Sequence, residues 1–169
     1  MSAEKPAKSE HGERKIEVFA EASTIEGWRK QAIAGQRDTR SFAIIADEGE
    51  YMPGGEGTAP TPLTYFVAGI ALCLLSQVSN IAMRKKLKIR NEKVNVVANF
   101  LETGSILKGD KWGEAQSFTI EMKMDSEESD EEISALMKLA HEMCFVEDAL
   151  HKKMEISYSH SLNGKTLDI

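Results

Sequence analysis

The stretch that decides the fold runs from residue 39 to residue 73 and reads TRSFAIIADEGEYMPGGEGTAPTPLTYFVAGIALC. It opens with alternating side chains, which predict a strand over residues 37–47. Arg40 is in phase with the apolar face of that strand, which consists of Phe42, Ile44 and Ala46. Two adjacent glycines and three prolines then indicate a loop over residues 48–62.

A long apolar run follows the loop and predicts a helix over residues 62–86. Pro62 suits its first position, because the N–H that proline lacks would be unpaired there. The apolar residues lie on more than one face, which is typical of a helix buried at the centre of a domain. The main stripe consists of Leu63, Phe66, Ile70, Leu74, Val78 and Ile81. We consider the run too short, and too closely flanked by Gln77 and Asn80, to cross a bilayer.

In the rest of the chain, segments with the hydrophobic periodicity of strands alternate with segments that have the periodicity of helices. Two more strands are predicted before residue 37, over 14–22 and 25–34, and two after the long helix, in EKVNVVANFLET (92–103) and SFTIEMKMD (117–125). Ser129 and Glu132 fit a capping box that opens a second helix. This helix continues to Cys144.

A short helix over 145–150 and a final strand follow the second helix. The final strand is predicted in KMEISYSHSL (153–162), where Met154, Ile156 and Tyr158 are in phase. Strands interrupted by helices in this order predict an α+β fold with antiparallel sheets. Residues 1–13 are polar and are predicted to be a disordered tail, so we expect a single domain over 14–169.

Composition limits the classes of function. The chain has 169 residues and a net charge of −6, which argues against a general nucleic-acid binder. Its first residues contain no apolar stretch, so we expect no secretory signal and a cytoplasmic location without membrane association. Its two cysteines, Cys73 and Cys144, would be reduced there by default, and no CxxC spacing suggests a metal.

The order of elements, the Gly-Gly loop, the proline at the helix start and the cysteine in that helix together resemble the OsmC/Ohr family of thiol peroxidases. LAHEMC (139–144) on the second helix is similar to the segment that carries the late cysteine of the family. The similar stretches span roughly residues 30–158. The resemblance implies antiparallel sheets wrapped around two central helices, in an intertwined homodimer.

The same resemblance implies a chemistry without metal or organic cofactor. Cys73 would attack a peroxide as its thiolate, and Cys144 would close a disulfide on the resulting sulfenic acid. At neutral pH only a few per cent of an ordinary thiol, with a pKa of about 8.5, is ionised, so a cation is needed and Arg40 is the candidate. A dithiol reductant would reset the pair. Organic hydroperoxides are the expected substrates, since apolar walls favour an apolar tail; the candidate wall residues are Phe66, Ile70 and Leu74.

The chain departs from the family pattern in two places. A glutamate usually follows the proline at the helix start and pairs with the arginine, whereas Leu63 and Thr64 follow Pro62 here. Proline usually follows the late cysteine, whereas Phe145 does so here. Acidic residues that could orient Arg40 instead of the glutamate are Asp47 and Glu56.

Simpler interpretations of the same residues remain open. Cys73 and Cys144 could be packing residues, and Arg40 could form an ordinary surface ion pair. His141 and Cys144 could share a helix face as metal ligands, but no second pair of ligands accompanies them. The alternative function is a non-catalytic dimer of the same fold that binds a small apolar ligand.

Overall fold

The computed structural model describes residues 14–152 and 154–167, so the predicted tail, residues 1–13, lies outside the described residues. The described chain forms two compact units that divide between Phe66 and Val67. The first unit holds strands β1 (Val18–Glu26), β2 (Arg29–Gln36) and β3 (Ser41–Ala46), and the start of helix α1 (Pro62–Lys85). The second unit holds the rest of α1 and the elements β4 (Ile89–Thr103), β5 (Trp112–Ser126), α2 (Asp130–Glu142), α3 (Phe145–His151), β6 (His160–Leu162) and β7 (Lys165–Leu167).

The first unit is a three-stranded antiparallel sheet in the order β1-β2-β3. Its first two strands lie later in the chain than predicted, because the turn between them falls at Gly27 and Trp28 rather than near residue 24. Gly27 has a φ of 51°, a left-handed conformation that glycine adopts without steric cost. β3 begins at Ser41, because the segment before it forms a turn in which the Thr39 N–H donates to the Gln36 carbonyl at 3.0 Å.

The strands of the second unit follow the predicted alternation. β4 and β5 pair in antiparallel fashion from Ile89 opposite Ser126 to Thr103 opposite Trp112, and both are longer than predicted. A short turn of 3-10 helix, Ile106–Lys108, lies in the connection between them. The half-buried face consists of Val94, Val96, Ala98, Phe118, Ile120, Met122 and Met124. Antiparallel sheets together with helices confirm the predicted α+β class.

Helix α1 begins at Pro62, as predicted, and packs one stripe into the core of the second unit. Its buried residues are Ile70, Leu74, Val78, Ile81 and Ala82. The C-terminal part of the stripe, Val78, Ile81 and Ala82, packs against Leu136 and Ala140 of α2 in one apolar cluster. The upper part, Ile70 and Leu74, belongs to a second cluster.

The membrane argument made from the length of this helix was wrong. α1 has 24 residues and is long and apolar enough to cross a bilayer by length and composition alone. A single helix of this kind is weak support for a membrane span, since the core helix of a globular domain has the same length and composition. The buried stripe of α1 packs against α2 and the β4–β5 sheet.

Helix α2 begins with the predicted capping box. The Glu132 N–H donates to Ser129 Oγ at 3.3 Å, and the Ser129 N–H donates to Glu132 Oε2 at 3.2 Å. Three acidic residues lie in the first turn, where the helix dipole favours negative charge. α3 follows over Phe145–His151, one residue longer than predicted.

The predicted C-terminal strand is wrong over most of its length. Only His160–Leu162 is a strand, and its partner is Lys165–Leu167, a hairpin that the sequence analysis missed. The turn is Asn163-Gly164, both with positive φ, which is the strongest short-range hairpin signal. In the described chain no strand pairs with residues 154–159, so their backbone does not form a ladder despite the alternation.

Candidate active site

Two free cysteines meet in one apolar cluster of the second unit. Cys144 is fully buried beside Ile70 and Leu74, and the half-buried Cys73 packs against that group. The structure therefore brings four of the six predicted site residues together. The remaining members of the cluster are Val94, Val96, Phe118, Ile120 and Val146.

Helix and strand periods explain this gathering. Ile70, Cys73 and Leu74 are three and four residues apart, so they lie on one face of α1. The alternation in β4 and β5 places side chains from one face of each strand in the same cluster, namely Val94, Val96, Phe118 and Ile120. Cys144 reaches it from the turn between α2 and α3, where it is the residue that precedes α3. A long helix, a hairpin and a turn thus build the site.

Burial keeps Cys144 in its thiol form. Desolvation is the main cause that raises the pKa of Cys144 to about 11, and the neighbouring Cys73 side chain raises it further. The backbone N–H groups of Glu147 and Val146 lower it, but they do not close a side-chain cap on α3. Cys144 therefore carries its proton at neutral pH, as a resolving thiol awaiting a partner or a packing residue would.

A pair of side chains from residues on either side of Cys144 in the sequence forms a hydrogen bond. Nδ1 of His141 lies 2.9 Å from each carboxylate oxygen of Glu147. Glu147 is buried, and the sequence analysis did not single it out. Its spacing from His141, six residues across a helix break, has no simple pattern that would have revealed it. Among residues 14–152 and 154–167 no group of three histidine, cysteine or carboxylate side chains could hold a metal ion.

Arg40 and Phe66, the other two predicted site residues, belong to the first unit. Arg40 is exposed and precedes β3, and no ion pair joins it to a carboxylate in the described ranges. The hydroxyl of Tyr65 in α1 donates to the Ile45 carbonyl at 2.7 Å, so the start of the helix adjoins the far end of β3. Five extended residues separate Ile45 from Arg40, about 16 Å. The role of Arg40 towards Cys73 stays a prediction.

Asp47 has a different role from the one considered in the sequence analysis. Its buried carboxylate accepts hydrogen bonds from Thr58 N–H at 3.0 Å, Thr58 Oγ1 at 2.8 Å and Glu48 N–H at 2.9 Å. The two Thr58 bonds are the main cause that lowers the pKa of Asp47, and the charge of Arg29 adds a little. Asp47 thus anchors the Gly-rich loop, and Glu56 in that loop is exposed.

The start of α1 has no acidic residue in its first turn. The Thr64 N–H donates to Thr61 Oγ1 at 3.2 Å, and the two threonine hydroxyls lie 2.9 Å apart. Thr61 therefore caps the helix, and Thr64 is committed to Thr61. The position after Pro62, where a carboxylate was expected by resemblance, is occupied by Leu63, which is 52% exposed.

Comparison with known proteins gave fold-level matches to solved structures and none to curated proteins. An OsmC-like hydroperoxide resistance protein from Jannaschia sp. CCS1 is 23% identical, with a TM-score of 0.58 over 92% of this chain and 100% of that chain. An organic hydroperoxide resistance protein OsmC from Legionella pneumophila is 21% identical, with a TM-score of 0.58 over 79% of this chain and 88% of that chain.

A third match is an organic hydroperoxide resistance protein from Elizabethkingia anophelis, 18% identical with a TM-score of 0.56 over 79% of this chain and 86% of that chain. At these identities the structures show the fold alone. The sequence profile of OsmC-like proteins matches residues 55–159, which is more than half of the chain. The matched region includes both cysteines, helix α1 and the turn that carries Cys144. The chain therefore belongs to the OsmC-like family.

Proposed function

We propose that the protein is a cysteine-based peroxidase that reduces organic hydroperoxides in the cytoplasm as a defence against oxidative stress. The observation that carries the proposal is the pairing of half-buried Cys73 with fully buried Cys144 in one apolar cluster. Membership of the OsmC-like family supports it, and solved structures of the same fold are named for hydroperoxide resistance.

The difference in exposure assigns the two thiol roles. Cys73 is the attacking residue because it is the more accessible of the two. Its thiolate attacks the outer peroxide oxygen of ROOH; the O–O bond breaks, Cys73 becomes a sulfenic acid, and RO⁻ takes a proton and leaves as ROH. The Cys144 sulfur then attacks the sulfenic sulfur, an S–S bond forms, and water leaves with the thiol proton. An external dithiol reduces the disulfide by two exchanges.

The walls of the cluster suit an apolar substrate. Fully buried Ile70 and Leu74 pack beside Cys73 on α1, and the β4–β5 face contributes valine, isoleucine and phenylalanine to the same cluster. An alkyl or aryl tail gains free energy by leaving water there, about 25 cal/mol for each Å² of apolar surface buried, whereas hydrogen peroxide has no such tail. Phe66 and Arg40 retain their proposed roles as a wall residue and as the cation that favours the Cys73 thiolate.

The proposed assembly is an intertwined homodimer in which the two units of each chain form one domain. Apolar side chains remain exposed in both α1 and the C-terminal segment, including Leu72 at 65% and Met83 at 72%. Met154, Ile156 and Tyr158 alternate like a strand and are each more than 60% exposed. A second copy would cover such surfaces and supply a ladder partner. Sedimentation that shows a stable monomer at micromolar concentration would contradict the dimer.

Thiol titration with mass spectrometry tests the peroxidase. One equivalent of an organic hydroperoxide, added without oxygen, should remove two thiols per chain and leave a Cys73–Cys144 disulfide. Cys144→Ser should lose one thiol and trap Cys73 as a sulfenic or over-oxidised acid, and Cys73→Ser should not react. Equal oxidation of Cys144 in the Cys73→Ser protein would reverse the assignment of the two roles.

The second candidate function is a non-catalytic dimer that binds a small apolar ligand. The observation that favours it is the first turn of α1, which has no carboxylate to orient an arginine. Under this alternative, hydroperoxide leaves both thiols intact in the parent protein. Leu63→Glu places a carboxylate on the exposed first turn, so a gain in the rate of peroxide reduction near neutral pH identifies the missing group as the limit on activity. No reaction in the parent and in Leu63→Glu supports the binding protein.

A further inference from the structure

A side-chain pair between exposed His141 and buried Glu147 spans the break between α2 and α3. His141 belongs to the last turn of α2, and Glu147 belongs to the first turn of α3. Both carboxylate oxygens of Glu147 lie 2.9 Å from Nδ1 of His141, and the Glu147 side chain is only 11% exposed. When the carboxylate is ionised, Nδ1 is the donor in this bond, because an ionised carboxylate accepts but does not donate.

The backbone between the two helices changes direction at Cys144. Met143 still has helical dihedral angles, whereas Cys144 is extended, with φ −79° and ψ 107°. Rotation at Cys144 would move α3 relative to α2 and would move the thiol as well. Within the described ranges, the His141–Glu147 bond is the one side-chain hydrogen bond or ion pair that links α2 to α3; the pairs Lys138–Glu142 and Asp148–Lys152 stay within one helix each.

We propose that His141 and Glu147 are positioning residues that hold Cys144 for disulfide closure onto Cys73. The proposal rests on the proposed function, in which Cys144 is the resolving thiol. The pair acts through the backbone of the turn that holds the Cys144 sulfur in the cluster beside Cys73. A thiol that is held next to its target reacts as if it were present at very high concentration. A misplacement of about 1 Å can lower the rate by roughly a hundredfold. Loss of the His141–Glu147 hydrogen bond should therefore slow formation of the Cys73–Cys144 disulfide without changing the reactivity of Cys73.

The test separates the two thiol steps without any peroxide. The probe is dithiobis(nitrobenzoate), an aromatic disulfide that releases a coloured thiolate. The Cys73 thiolate breaks the S–S bond of the probe, releases one thionitrobenzoate and keeps the other half as a mixed disulfide. Cys144 then loses its proton to water and attacks the Cys73 sulfur, which releases the second thionitrobenzoate. The first release depends on probe concentration, and the second, being intramolecular, does not.

The expected result is a selective loss in the second release. Glu147→Ala and His141→Ala should each slow the second release by about tenfold or more. The double variant should be no slower than either single variant, because each substitution removes the same hydrogen bond. Glu147→Gln keeps one acceptor oxygen but loses the charge of the carboxylate, so it should still slow the second release measurably, although less than Glu147→Ala. The control is Asp148→Ala, which removes the exposed Asp148–Lys152 pair from α3 and should leave both releases unchanged.

An unchanged or faster second release in Glu147→Ala and His141→Ala would overturn the proposal. If the alanine variants unfold, both of their releases become dependent on probe concentration, and Glu147→Gln then decides: a second release equal to that of the parent overturns the proposal. The proposed function fails separately. If hydroperoxide removes no thiols while the two-step release persists and responds to these variants, the peroxidase is wrong and the positioning role stands.

Discussion

Among the residues that the structure describes, each of the two units holds one buried carboxylate, and these two carboxylates are hydrogen-bonded in different ways. Asp47 in the first unit takes its hydrogen bonds from Thr58 and from the next residue, Glu48, all within one loop. Glu147 in the second unit pairs with a side chain of another helix. The first carboxylate thus shapes a local loop, whereas the second fixes one helix against another. Burial of a carboxylate therefore does not by itself decide whether its hydrogen bonds act within one loop or between two helices.

Gly55→Ala should destabilise the loop around Asp47 more than any other substitution proposed here. A Cβ at this position would lie 2.4 Å from the Gly49 carbonyl oxygen and 2.7 Å from that of Glu48, and backbone atoms cannot swing away. We expect Gly55→Ala to lower the free energy of unfolding by about 2 kcal/mol or more in urea titrations. The matched control is Gly69→Ala in α1, where the added Cβ meets nothing within 4 Å and should stabilise the helix by roughly 0.5–1 kcal/mol. Equal stability of the two variants would refute this account of the loop.

Asp47→Asn should have a smaller effect that depends on pH. The pKa of Asp47 is lowered in the fold, so its contribution to stability is fully present above its ordinary pKa of 3.8 and is lost as the pH falls through the lower folded value. The variant should melt several degrees below the parent at neutral pH, and the difference should shrink below about pH 4. Thermal melts across this range measure it, with Glu50→Gln as an exposed control in the same loop. A difference independent of pH would show that the charge of Asp47 is not what holds the loop.

The third prediction compares neighbouring carboxylates on α3. Glu147→Gln should lower the free energy of unfolding by about 1 kcal/mol, since a charged hydrogen bond becomes a neutral one in a buried place. Asp148→Asn removes an exposed pair with Lys152 and should cost less than about 0.5 kcal/mol. Chemical denaturation of the reduced proteins gives both values. A larger loss of unfolding free energy in Asp148→Asn than in Glu147→Gln would contradict the expectation that the buried carboxylate contributes more to stability.

The sequence predicted the elements whose causes are local. The proline start of α1, the Ser129–Glu132 capping box and the alternation of β4 and β5 each depend on a few neighbouring residues, and all three are present. Cys73, Cys144, Ile70 and Leu74 lie in one cluster, and the helix period of α1 accounts for three of these four positions.

The predictions from sequence failed where the local structure depends on a partner that is distant in the chain. Residues 154–159 alternate like a strand, but a strand also needs a neighbour, which a pattern within one segment does not reveal. Arg40 was predicted to lie within a strand that starts at residue 37, whereas β3 begins at Ser41, after a turn at Asp38, which has a positive φ. The His141–Glu147 pair depends on the angle between two helices, which no spacing rule supplies.

Cys73 and Cys144 lie about 70 residues apart in the chain although they share one cluster. A bond between them would close a long loop and remove chain entropy from the unfolded state, by about 4 kcal/mol for a loop of this length. Under the proposed cycle, oxidation would therefore change the resistance of the protein to unfolding as well as its reactivity. The reduced protein would be the form more readily unfolded and degraded, so the supply of dithiol reductant would influence how long each molecule survives.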